Sequence, residues 1–360
     1  MDGSTQRFTL MVLLFVASIV AHLGARQKFS TSITHLFFYF MATTIIAHYF
    51  ITDNSVNFEN TIKLATWLAL IASISLLSSA YGAEICLKQL STWVSNSSIL
   101  FLGFSLTLAT TDRAFSDGAF LGFTENPNIM GAYLALIVAP AISFKYNSSN
   151  QYLKKIFFGF LLLTCIILIY MTKSRAAFFA IFIAFVYVVF TTKKVSNIKK
   201  VFVILTIIFA PFALSSFIVK YNDGSILFSR DYLIQLRLAN IAERPYFGWG
   251  FGALVNNTFD RFHIFPPSEK GNTVLQFFEE FGLILGTIFL IFLAISISKI
   301  TEKLTNTYRR PDLSIFLIAC CAHLMMETWI LNFSSSMSLY FWTILFFACN
   351  LKSKKLKELY

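Results

Sequence analysis

Long apolar runs constrain this chain more than any other feature. Stretches near the length of a bilayer crossing recur at 8–24, 31–51, 62–81, 93–111, 127–144, 156–172, 175–192, 201–219, 273–298, 313–332 and 336–351. A helix needs about 20 mostly apolar residues to cross hydrocarbon, and only structures that satisfy their own backbone hydrogen bonds can do so. The expected fold is therefore all-α: a polytopic membrane protein of 11–12 transmembrane helices with one large extramembrane loop. Composition agrees, because 56 % of the 360 residues are hydrophobic and only 13 % charged, about half the charged fraction usual for soluble domains. No internal repeat stands out, which argues against a two-halved transporter.

The net charge of +11 sits in short connections and shows no basic face interleaved with aromatics, so nucleic acid is not an expected partner. Lys145, Lys154 and Lys155 share one connection, and Lys193, Lys194, Lys199 and Lys200 another. Lys299, Lys303, Arg309 and Arg310 share a third, and Lys352, Lys354, Lys355 and Lys357 lie in the tail. These basic segments occupy every second connection from residue 145 onward, so all can face the cytoplasm together. Counting back sets the N-terminus outside, with Arg26 and Lys28 inside; a cytoplasmic N-terminus would need one more crossing or a re-entrant piece. The Phe-rich runs suit a bacterial plasma membrane, with membrane lipids as the solvent. Cys86 is read in a short loop and the other four cysteines in or beside apolar runs, none with the spacing of a metal site.

The connection 220–272 far exceeds the others, and long loops are usually functional or disordered. It divides the chain into N-terminal helices at 1–219, the loop, and C-terminal helices with a basic tail at 273–360. Within it, Leu233, Leu236, Ile241 and Ala242 are spaced for a helix over 230–243. The turn-rich run from Pro245 through Gly248, Gly250 and Gly252 follows. An amphipathic helix with such a turn could form a lid on the outer face.

Four segments carry candidate chemistry, each with a plainer alternative. Asn126-Pro127-Asn128 starts a span, either as a simple helix entry or as amides lining a polar cavity. Arg175 stands where one span ends and the next begins, either snorkelling or holding a phosphate. Arg230 and Arg237 lie two helical turns apart and can share one face, which a solvated helix would also show. Asn272, Gln276, Glu279 and Glu280 open the span after the loop, where helix-entry polarity is the simpler reading. His323 and Glu327 are expected four apart on one face of a span, as a packing pair or a functional one.

In order these segments read Asn-Pro-Asn-x-x-Gly, Thr-x-Ser-Arg, Arg-Pro-x-x-Gly-x-Gly-x-Gly and Asn-x-x-Leu-Gln-x-x-x-Glu-x-Gly. Over about 124–290 the chain resembles the superfamily of O-antigen ligases and O-antigen polymerases, bacterial inner-membrane glycosyltransferases. The resemblance implies a GT-C-like helical fold and a catalytic loop in the periplasm. It also implies an undecaprenyl-pyrophosphate-linked glycan as donor, and no metal or cofactor. The ligase would transfer the glycan to lipid A–core oligosaccharide, the polymerase to another carrier-linked repeat. Arg175, Arg230 and Arg237 would bind the pyrophosphate, stabilising the charge left when the C1–oxygen bond breaks. Asn126, Asn128, Asn272 and Gln276 would line the cavity. The acceptor hydroxyl needs a base. Ligases place a His before the Asn at 272, whereas this chain has Gly271. His263, Glu269, Glu279 and Glu280 are the candidates to replace it. A glycolipid flippase is the alternative from another class.

Overall fold

The computed structural model describes residues 3–25, 33–52, 58–116, 118–124, 126–148, 151–191, 228–253, 271–308, 310–332 and 335–351. The expected span 201–219, His263 and Glu269 lie outside them. The described residues are mostly helical, and four helices are long and apolar enough to cross a membrane: Phe58–Tyr81, Pro127–Tyr146, Tyr152–Met171 and Thr273–Asn306. Shorter apolar helices accompany them. The chain divides into two compact units, Met1–Gln89 with Arg230–Arg309 and Leu324–Tyr360, and Leu90–Ser229 with Arg310–His323.

The first unit contains α1 (Gly3–Ala25), α2 (Ile33–Ile51), α3 (Phe58–Tyr81), the start of α4 (Ala83–Leu108), most of α9 (Phe228–Glu243), α10 (Thr273–Asn306) and α12 (Ser336–Cys349). Its core is aromatic: Phe38 and Trp67 meet Trp342 edge-on at 5.7 and 5.2 Å. The Trp342 indole donates to the Ile330 carbonyl at 2.9 Å, so the one polar atom of that ring is satisfied in an apolar setting. Hydroxyls inside α3 turn back on their own helix, Thr66 to Ile62 and Ser73 to Ala69, which lets them be buried without a cost in unpaired groups. His35 links three helices, bonding Asn350 at 2.8 Å through Nδ1, and Ser75 at 2.8 Å and the Ile71 carbonyl at 3.2 Å through Nε2.

The second unit contains the rest of α4, a two-stranded hairpin (β1, Phe115–Ser116; β2, Ala119–Phe120), α5 (Pro127–Ala132), α6 (Ala139–Ser148), α7 (Tyr152–Met171), α8 (Arg175–Thr191) and α11 (Pro311–Leu324). The hairpin departs from a purely helical expectation, though it pairs only Phe115 with Phe120 and Ser116 with Ala119. A π-helical stretch, Tyr133–Val138, joins α5 to α6. Pro140 explains it: a proline has no N–H and its ring crowds the carbonyl four residues back, so the helix widens ahead of it. The Leu134 carbonyl accepts from the Ala139 N–H and the Cys165 thiol. Arg310 holds Asp312 through two bonds of 3.0 and 2.8 Å and Ser91 through a third of 2.6 Å.

The expected spans that fall within the described residues correspond to helices with shifted ends, and three differences matter. Helix α11 stops at Leu324, where the reading carried the span to 332. Glu327 therefore lies beyond the helix and does not share a helical face with His323; both are buried. Helix α4 begins at Ala83, so Cys86 lies in its first turn and not in a loop. Helix α10 has 34 residues, about 51 Å at 1.5 Å per residue, well beyond the roughly 30 Å of a hydrocarbon core.

Candidate functional site

The length of α10 is interrupted at Gly282, whose φ of 71° and ψ of 175° are not helical. A break frees backbone groups, and in an apolar setting each must find a partner. The turn after α9 supplies them. The Trp249 N–H donates to the Glu279 carbonyl at 2.8 Å and the Gly250 N–H to the Glu280 carbonyl at 2.9 Å. The Leu283 N–H donates to the Pro245 carbonyl at 2.7 Å. The two backbones meet because neither carries a side chain at the crossing. A Cβ on Gly248 would lie 2.5 Å from the Gly282 nitrogen, and one on Gly282 would lie 2.2 Å from the Tyr246 oxygen. The segment read as a possible lid is thus a plug for a broken helix. The glycine-rich run resembles a phosphate-cradling loop on paper, but its Trp249 and Gly250 N–H groups are committed to helix carbonyls.

Side chains extend the same junction. Arg237 Nη1 and Asn240 Nδ2, three residues apart on α9, both donate to Glu279 Oε1, at 2.5 and 2.6 Å. All three residues are almost fully buried, Arg237 at 3 %, Asn240 at 1 % and Glu279 at 0 % exposure. The Trp249 indole donates to the Asn240 carbonyl at 2.8 Å, and the Arg244 guanidinium lies 4.1 Å over the Trp249 ring. Glu280 points elsewhere and accepts from Gln276 Nε2 at 2.8 Å. Consecutive helical residues differ by about 100°, so the two glutamates have separate surroundings. Asn272 caps α10, its Oδ1 accepting from the N–H groups of Val274 and Leu275. Its amide donates to the Met325 carbonyl, and Thr273 donates to that of Glu327.

Two residues unremarked in the sequence also hold the plug. His48 Nε2 donates to the Phe247 carbonyl at 2.6 Å, and the Asn60 amide reaches the carbonyls of Phe251 and Gly252 at 3.4 and 3.3 Å. A histidine within an apolar run was a signal, but its partner lies 199 residues away. On α9, Leu236 and Ile241 are buried as expected, whereas Ala242 is exposed. The buried face includes Arg237 and Asn240, so it is polar where it meets Glu279. Arg230 lies in the first turn of α9, seven residues before Arg237.

The second unit joins the other two segments. Asn126 caps α5, its Oδ1 accepting from the Asn128 N–H at 2.8 Å, with Pro127 in the first turn. Gly131 then leaves room for the turn between α7 and α8. A Cβ there would lie 2.6 Å from Ser174 Cβ, 2.9 Å from Thr172 Oγ1 and 3.1 Å from Ala177 Cβ. Thr172 Oγ1 accepts from the Ser174 N–H, and Ser174 Oγ from the Ala177 N–H, capping α8. Lys173, at φ 52°, bridges the helices in left-handed backbone. Its ammonium lies 3.1 Å from where a side chain on Gly118 would begin. Arg175 is the first residue of α8 and half-buried. Two cationic side chains thus stand at a helix N-terminus, which itself favours anions. Asn126 and Asn128 lie at the same α5 entry, on the far side of Gly131 from the chain's continuation into α6.

Compared with known proteins, the chain matches no family model and no curated protein.

Proposed function

We propose that this protein is a membrane glycosyltransferase of the O-antigen ligase type. In this reading it crosses a bacterial inner membrane eleven times, with the lysine-rich connections in the cytoplasm and the 220–272 connection in the periplasm. It takes a glycan from undecaprenyl pyrophosphate and joins it to lipid A–core oligosaccharide. Arg175 and Arg230 bind the pyrophosphate, and a base among His263, Glu279 and Glu280 receives the acceptor proton. Asn126, Asn128, Asn272 and Gln276 contribute amides.

One observation supports this reading above others. The segments that carry the resemblance, remote in sequence, pack together in pairs: Asn126–Gly131 with the Thr172–Arg175 turn in one unit, Arg237–Gly252 with Asn272–Leu283 in the other. Both pairs lie at the helix ends opposite the lysine clusters, and the Thr172–Arg175 turn itself carries a single lysine, Lys173. The Thr172 turn ends α7, which begins beside Lys154 and Lys155, and Asn272 opens α10, which ends near Lys299 and Lys303. Structural helix entries alone would not require these motifs to pack in two such pairs. Gly271 at the position of the ligase His favours the polymerase as second reading.

Deleting the gene and analysing surface polysaccharide tests both. Complete polymer left on its carrier indicates the ligase, single repeats on lipid A–core indicate the polymerase, and unchanged polysaccharide overturns the proposal. In complemented cells Arg175→Ala and Arg230→Ala should each lower transfer by roughly 100-fold, the usual effect of removing one group that stabilises developing charge, with the protein still in the membrane. Full activity of His263→Ala would remove that residue from the candidates for base.

A further inference from the structure

Three arginines are expected at the pyrophosphate, and the charge of Arg237 is matched inside the protein. It is buried against Glu279, and Asn240 shares the same carboxylate oxygen. Both donors project from one face of α9. The carboxylate belongs to the short stretch of α10 ahead of Gly282, where the Asn272 cap and the plug fix the backbone. A single carboxylate oxygen receiving two donors three residues apart sets both the rotation of α9 and its position along its axis. Arg230 stands seven residues before Arg237 on that helix, so its backbone placement follows from Glu279.

We propose that Glu279 is a positioning residue, not the base: through Arg237 and Asn240 it registers α9 and thereby presents Arg230. The inference rests on the pyrophosphate reading above for its functional part, while the tether itself does not. Glu279 Oε1 is already engaged by a guanidinium and an amide inside the protein, while Glu280, one residue on, accepts from Gln276. Orientation errors of about 1 Å can lower a rate by roughly 100-fold, which gives a registering contact catalytic weight without touching substrate.

The full-length protein in lipid nanodiscs provides the test, with Glu279→Gln, Arg237→Leu/Glu279→Leu and Arg230→Ala compared with wild type. Removing both charges together avoids stranding one of them, and well-packed apolar replacements of a buried pair are often neutral for stability, so the double variant keeps the test informative if the single one fails to fold. Hydrogen exchange of the amides in 230–240 should accelerate in both Glu279 variants. Binding of undecaprenyl pyrophosphate should weaken and transfer should fall roughly 100-fold, with the shape of the pH–rate profile unchanged. Unchanged exchange in α9 overturns the tether. Faster exchange with undiminished transfer overturns the positioning role. Loss of the acid limb of the profile in Glu279→Gln identifies Glu279 as the base instead. Full transfer by Arg230→Ala would defeat the pyrophosphate reading alone, leaving the exchange result to judge the tether.

Discussion

Replacing Gly282 with alanine is the sharpest probe of the junction between the plug and α10. The substitution acts twice. Its backbone, at φ 71° and ψ 175°, lies in a region almost reserved for glycine, where a side chain costs about 1–3 kcal/mol. The new Cβ would also stand 2.2 and 2.3 Å from the Tyr246 carbonyl oxygen and carbon and 2.6 Å from the Phe247 nitrogen. These are backbone atoms and cannot rotate aside, so the turn must lift. Lifting it threatens the bonds from Trp249 to Glu279, Gly250 to Glu280 and Leu283 to Pro245. Each buried group left unpaired costs about 1–3 kcal/mol. Losing one bond in addition to the strain gives a total of about 2–6 kcal/mol, a large part of the 5–15 kcal/mol typical of a folded domain. The assay is thermal unfolding of the purified protein in detergent, with Gly103→Ala as control. Gly103 sits inside α4, where a new Cβ would meet nothing within 4 Å beyond its own stretch of helix, and alanine there should be neutral or stabilising by up to about 1 kcal/mol. Equal unfolding midpoints for the two variants would refute the argument. So would unchanged hydrogen exchange at Trp249 and Gly250 in the Gly282 variant.

Two further substitutions examine the second unit. Gly131→Ala should push the Thr172–Arg175 turn away from α5, costing about 1–3 kcal/mol as an overpacked contact and lowering transfer through Arg175; wild-type activity and midpoint would show that the turn does not need this close approach. Arg310→Ala should destabilise by about 3 kcal/mol, because it leaves the Asp312 carboxylate, 7 % exposed, without its two guanidinium bonds. Adding Asp312→Ala should recover much of that loss in the same unfolding assay, and no recovery would mean the pair is not what the single variant breaks.

How far the sequence could be read follows from which forces act locally. Apolar runs state their own requirement for lipid, so Tyr152–Met171 falls almost where the run 156–172 places it. Local caps were equally readable, since an asparagine before a proline or an apolar run satisfies N–H groups two or three residues on, as Asn126 and Asn272 do. The helix break was not. Phe281-Gly282-Leu283 opens the long apolar run that follows Glu279 and Glu280, and one glycine there looks like a tolerated defect. It becomes a break only because a turn 30 to 40 residues earlier brings donors and an acceptor to the freed groups. The end of α11 was hidden similarly: Met325 and Met326 continue the apolar pattern, while the carbonyls of Met325 and Glu327 are drawn off by Asn272 and Thr273.

The same distinction separates Glu279 from Glu280, which sequence treats as interchangeable. On one turn of helix they diverge, Glu279 accepting from Asn240 on α9 and Glu280 from Gln276 on its own helix. An arginine and a glutamate 42 residues apart are each costly inside a membrane protein and tolerable together. Their pairing means that Arg237 brings little net charge to any anion; its part is to set the register of α9 against a buried carboxylate. A change that spares every arginine but loosens that register should then impair transfer as surely as removing a guanidinium does.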